Sequence, residues 1–102
     1  MLDLEHLSNQ TLGNRDLERE VLELFVRHSN EQLERLTGST SESERREYAH
    51  AIVGAARAIG AFEVARIAAE IERNRGAVDA ELAELAAAVR RTCDFIAGRL
   101  AK

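Results

Sequence analysis

No proline interrupts the 102-residue chain, tryptophan is missing, and the aromatic set is three phenylalanines and one tyrosine. Without proline, nothing forbids a helix at any position. Phe25, Phe62, Phe95 and Tyr48 are too few and too scattered for a ligand cage, and read as core packing. A single cysteine, Cys93, excludes an intramolecular disulfide and suits a reducing compartment. Lysine occurs once, at Lys102, and the other basic residues are arginines with no clustered run. At a net charge of −4, nucleic acid is not an expected partner, because phosphate neutralisation needs a concentrated positive face. No apolar run approaches the length of a membrane span, and the first residues carry acids rather than a basic, then apolar, leader. The expected setting is therefore the cytoplasm, with no membrane contact.

What is present is alanine, leucine, glutamate and arginine, a composition that favours helices packed around a finely divided core. Residues 1–102 are expected to form one domain, large enough to fold unaided. Charge is uneven along it: residues 1–47 carry eleven acids and six bases, whereas residues 48–76 have one base in excess.

Apolar spacing divides the chain into five helices. A short one is expected over about residues 3–11, with Leu2, Leu4 and Leu7 apolar, before the turn at Gly13-Asn14. Asn14 is placed to cap a second helix running to about Leu36, with Leu17, Val21, Leu24, Phe25 and Leu36 on one stripe. Glu23/Arg27 and Glu31/Arg35 on it have favourable i,i+4 spacing. Residues 37–41 (Thr-Gly-Ser-Thr-Ser) read as a loop, and Ser41 with Glu44 forms a capping-box pattern opening the third helix. Gly60 ends that helix, and Phe62 to about Asn74 forms a fourth, with Val64, Ile67, Ala68 and Ile71 inward. After Arg75-Gly76 a fifth spans about Asp79 to Leu100, with Leu82, Leu85, Val89, Cys93, Ile96 and Leu100 on its stripe. Cys93 thus reads as a small core residue. Short connections between four long helices predict an all-α, antiparallel up-down four-helix bundle with a short additional N-terminal helix.

On the third helix, Ala49, Ile52, Ala56 and Ile59 gather on one side, with Val53 and Tyr48 at the margins. His50 points roughly 140° from the centre of that stripe. Arg46, Gly54, Arg57 and Ala61 share its outer face at i,i+4 and related spacings. The result is an accessible imidazole flanked by two guanidinium groups, a methyl and an absent side chain. His6 and His28 have no such context, and His28 falls on the inner side of its helix.

This stretch resembles the histidine-containing phosphotransfer (HPt) domains of two-component signalling. The family pattern is histidine, two residues, lysine, glycine, a run of small residues and a second glycine six positions after the first. His50, Gly54, the alanines 55, 56 and 58, and Gly60 fall on that pattern, and Val53 stands where the lysine would be. The resemblance implies a phosphorelay intermediate in which His50 accepts a phosphoryl group from, and returns it to, the aspartate of a receiver domain. Arg46, Val53, Gly54, Arg57 and Ala61 would then dock the partner or compensate the phosphate, with Arg57 standing in for the lysine. It further implies no kinase activity and no cofactor, with any Mg²⁺ held by the receiver. The expected partners, response-regulator receivers and a hybrid sensor histidine kinase, lie on other chains, and the protein is expected to be a monomer.

Two other readings stand beside this one. A degenerate domain with Val53 in place of lysine would dock signalling partners without accepting phosphate. Glu47-Tyr48-Ala49-His50 is also a Glu-x-x-His unit, the building block of carboxylate-bridged metal sites in bundles. Such sites need a second unit and inward-facing ligands; no other histidine has a glutamate three residues before it, and His50 faces outward.

Overall fold

The computed structural model describes residues 2–102, which form five helices and, among the described residues, no strand. They are α1 (Leu4–Gln10), α2 (Arg15–Gly38), α3 (Glu42–Ile59), α4 (Phe62–Arg73) and α5 (Asp79–Leu100). Their starts follow local chemistry. The Asp3 side chain accepts from the His6 amide, Asn14 from the Leu17 amide, and Ser41 from the Glu44 amide. Each thereby satisfies an amide that the first turn leaves without a partner. At Ser41 the box is half formed, since the Glu44 carboxylate accepts from the Ser41 hydroxyl at 3.2 Å. α2 runs two residues further than its stripe suggested, through Gly38, so only residues 39–41 connect it to α3.

α3 packs against α2 and α4, α5 closes against the other sides of α2 and α4, and α1 lies on α3. The buried core joins Leu22, Phe25 and Leu36 of α2 to Ile52, Ala56 and Ile59 of α3. Ile67 and Ile71 of α4 and Leu85, Val89 and Ile96 of α5 complete it. Polar clasps fix the ends. Arg99 donates two hydrogen bonds to the Glu18 carboxylate, at 3.1 and 2.9 Å, holding the end of α5 on the start of α2. That bond holds the guanidinium above its ordinary pKa. Arg91 and Glu63 join α5 to the start of α4 at 2.9 Å, and the hydrogen bond holds the Glu63 carboxyl below its usual value.

The α2 stripe differs from its sequence expectation. Leu17 and Leu24 are exposed, while Ser29 and Gln32 are buried on the core face with Leu22, Phe25 and Leu36. Ser29 tolerates burial because its hydroxyl donates to the Val26 carbonyl. Glu23 pairs with Arg19, one turn before it, rather than with Arg27. On α5, Ala88 and Thr92 share the core face and Cys93 is only half buried beside it. Burial still raises the Cys93 thiol pKa, which fits a packing residue better than a nucleophile.

The corner between α3 and α4 is tight. Gly60 caps α3 with φ +80°, the left-handed region that L side chains rarely adopt. The first residues of the chain close over it: the Asp3 amide donates to the Gly60 carbonyl at 2.9 Å. His6 Nε2 donates to the Arg57 carbonyl at 2.9 Å, and its ring meets Phe62 edge-on at 5.2 Å. His6, unremarkable in the sequence, thus pins α1 to the end of α3.

Candidate functional site

His50 stands in the middle of α3 with its side chain 74% exposed. Nδ1 lies 2.8 Å from Oε2 of Glu72, near the end of α4. A carboxylate oxygen accepts and cannot donate, so Nδ1 carries the proton and Nε2 carries the lone pair of the neutral ring. The ring is therefore held by one nitrogen, and the other keeps an unshared lone pair facing away from Glu72.

The contact depends on how the end of α4 is fixed. Arg45, half buried on α3, donates to the Asn74 carbonyl at 2.9 Å. The Asn74 side chain accepts from the Gly76 amide at 2.8 Å and donates to Glu81 of α5 at 3.3 Å. This knot holds the last turn of α4 against the first half of α3, two residues from Glu72. With Gly60 turning the chain at the other end, α4 runs back along α3. Replacing Glu72 by alanine removes the acceptor, so the ring is expected to gain the Nε2–H tautomer. Nitrogen-15 shifts of the His50 imidazole read this directly; an unchanged tautomer would show that Glu72 does not set it.

Among the residues expected near His50, Arg46, Gly54 and Arg57 are exposed on α3. A Cβ built on Gly54 would meet no atom within 4 Å, so the glycine is not there for packing. Ala61 and Val53 are corrections. Ala61 is fully buried, because the left-handed turn at Gly60 ends the helix and wheel spacing no longer applies beyond it. Val53 is 3% exposed, a residue of the buried core, and it presents no side chain to a partner. Glu72 carried no local signal: it lies 22 residues from His50, and only the register of α4 on α3 brings the two together. Glu47 and His50 both face solvent, contrary to the inward ligand geometry of a bundle metal site.

Two different surfaces lie along α3. Toward α2, a groove of about 300 Å³ is lined by Val21, Leu24, Phe25 and His28 with Ala55, Ala58 and Ile59 of α3. It is almost wholly apolar, and Leu24, exposed on α2, forms part of its wall. Toward α4 the lining is basic. Arg57, Arg66 and Arg73 surround one hollow, and Arg46, Arg73 and Arg75 surround another with Glu72. α3 therefore carries an apolar groove on its α2 side, one to three turns beyond His50, and a cationic lining on its α4 side.

The family model for the Hpt domain matches residues 20–96. The chain belongs to the Hpt domain family. No curated protein and no solved structure matches it. The match runs from α2 into the last turns of α5, and leaves α1 outside. Hpt domains serve as phosphotransfer carriers in two-component signalling and are not themselves kinases. In this Hpt domain the matched segment includes His50, Gly54 and Glu72. Among the described residues, no helix is long and apolar enough to cross a membrane.

Proposed function

We propose that this Hpt domain is a phosphorelay intermediate that takes a phosphoryl group onto Nε2 of His50 and returns it to a receiver aspartate. The observation that carries this reading is the exposed His50 ring, with Nδ1 anchored on Glu72 and the Nε2 lone pair free. An up-down four-helix bundle, with α1 added at one corner and the whole chain forming one domain, is the scaffold that holds the ring still. Phosphoryl transfer asks little covalent chemistry of a protein beyond positioning and charge compensation.

The Nε2 lone pair forms the N–P bond as the P–O bond to the receiver aspartate breaks. The aspartate carboxylate leaves with that bond's electrons. The ring keeps its Nδ1 proton and becomes cationic, facing the Glu72 carboxylate at 2.8 Å. Return transfer reverses each step. In-line attack requires Nε2 to come within roughly 3–3.5 Å of phosphorus, which a half-buried ring could not do in another protein's pocket. Gly54, one turn on, leaves room for the partner's backbone to approach α3. The apolar groove toward α2, one to three turns along α3 from His50, supplies further contact area for the partner.

A receiver domain is the expected donor and acceptor, a hybrid sensor histidine kinase the upstream source, and the Mg²⁺ belongs to the receiver. The protein acts in this reading as a cytoplasmic monomer without a cofactor of its own. The test is incubation with a panel of phosphorylated receiver domains. Acid-labile, base-stable phosphate on the chain supports the relay. Val53, buried where the family pattern has lysine, favours a second reading, an adaptor that docks receivers without accepting phosphate. Stable receiver binding with no phosphate transferred from any member of the panel would establish the adaptor instead.

A further inference from the structure

Phe62 departs from the core packing expected of the aromatic residues: it is 46% exposed at the start of α4. By helical spacing it lies on the side opposite Val64, Ile67 and Ile71, which face the core. The ring is nevertheless held. His6 meets it edge-on at 5.2 Å, and His6 is itself fixed by its bond to the Arg57 carbonyl. A flat apolar surface is thus kept in place, in contact with water, at the corner between α3 and α4.

After Phe62, Ala65, Ala69 and Arg73 follow at spacings of three and four, and so form one stripe along α4. They line a hollow of about 310 Å³ together with Arg66 and with Arg57 of α3. The nearly buried alanines leave the middle of the stripe empty. Phe62 stands at one end and Arg73 at the other, about 16 Å apart by the rise of an α-helix. Helical side chains lean toward the N-terminus of their own helix, and α4 runs back along α3, so Arg57 and Arg73 lean toward one another. The acids of α4 are already engaged: Glu63 with Arg91, Glu70 with Arg66 and Glu72 with His50, at 2.9, 2.9 and 2.8 Å. Arg57 and Arg73 have no carboxylate within 4.0 Å among the described residues. The sequence holds no basic run, yet the fold brings these guanidinium groups from two helices to one hollow. Neither His50 nor Glu72 lines it.

We propose that this hollow binds a nucleoside diphosphate, with its base on the Phe62 ring and its phosphates held by Arg57 and Arg73. Each guanidinium is a planar fork of donors that fits phosphate oxygens in pairs. Any base presents a flat face that stacks on an aromatic ring. The volume falls at the lower end of small-molecule sites, and the ring and the cations are set apart along it as base and phosphates are in a nucleotide. A net charge of −4 disfavours a long polyanion and leaves a short one, held locally, as the fitting ligand. An acidic protein segment would satisfy the arginines but leave the flat ring unmatched. The site is separate from the phosphoryl acceptor and does not depend on it.

The test follows backbone amide resonances in low-salt, phosphate-free buffer as ADP, GDP, pyrophosphate or adenosine is added. ADP and GDP are expected to shift the Ala65, Ala69 and Arg73 amides saturably, pyrophosphate to do so more weakly, and adenosine to have no effect. Phe62→Leu keeps apolar bulk without the flat face. It should weaken ADP about tenfold, to the level of pyrophosphate, while leaving pyrophosphate itself unchanged. Arg73→Gln should weaken both by about fivefold. Arg90→Gln, on an exposed position of α5, should change neither, and His50→Gln should bind ADP as the wild type does. Circular dichroism verifies that each variant is helical. Absence of saturable shifts at the seam with millimolar ADP and GDP overturns the site. Equal binding of ADP and pyrophosphate, unaltered by Phe62→Leu, overturns the nucleoside assignment. Hexaglutamate shifting the seam where the nucleotides do not would make the hollow a protein-docking face, and the proposal falls.

Discussion

His50→Gln is expected to reduce phosphate uptake from every phosphorylated receiver to background while barely changing stability. The ring is 74% exposed and its one hydrogen bond goes to Glu72, itself on the surface side of α4. Exposed pairs of this kind contribute about 0.2–1 kcal/mol, so the melting temperature should move by only a few degrees, roughly 5 °C or less. Glutamine keeps much of the side-chain bulk and polarity but offers no nitrogen lone pair for phosphorus. The separation of the two readouts is what matters. Labelled phosphate persisting on the His50→Gln protein would place the acceptor elsewhere, and a collapse in stability would mean that the ring is structural.

The opposite pattern is expected at Gly60. Its φ of +80° costs an L residue about 1–2 kcal/mol. A Cβ there would also meet the Asp3 carbonyl oxygen at 2.9 Å and the Asp3 Cβ at 3.1 Å. Backbone cannot retreat as a flexible side chain can, so the start of α1 must move. That movement threatens the Asp3 and His6 bonds that pin α1 to the corner. Gly60→Ala should therefore destabilise the fold by about 2–4 kcal/mol, a large share of a small domain's stability. A urea unfolding curve measures it, and a midpoint equal to wild type would show that α1 is free to shift. His50 lies nearly three turns from Gly60 along α3, so phosphate uptake by the folded fraction should persist.

Both predictions rest on features of different legibility. The helix starts at Asn14 and Ser41 and the stop at Gly60 were readable because a cap is chemistry within four residues of chain. The outward direction of His50 was readable for the same reason, as a matter of helical spacing alone. Glu72 was not, because its role depends on which turn of α4 meets α3, and that register is set by Gly60, Arg45 and Asn74 together. Val53 shows the limit of a wheel: a residue at the margin of a stripe is buried or exposed according to where the next helix lies. Ala61 shows another limit, since periodicity ends where the backbone turns. On α2, counting apolar residues placed Leu24 inward. The core face in fact includes Ser29 and Gln32, whose polarity hid the stripe.

Gly54 has a consequence for attempts to engineer this protein. An exposed glycine inside a helix forfeits about 1 kcal/mol relative to alanine, and here nothing crowds the missing methyl. A screen for heat resistance would therefore tend to fill that vacancy. In doing so it would raise a bump one turn from the imidazole, where the proposed relay has a receiver land. On that proposal robustness and recognition compete for the same few cubic ångströms, and the native residue sides with recognition.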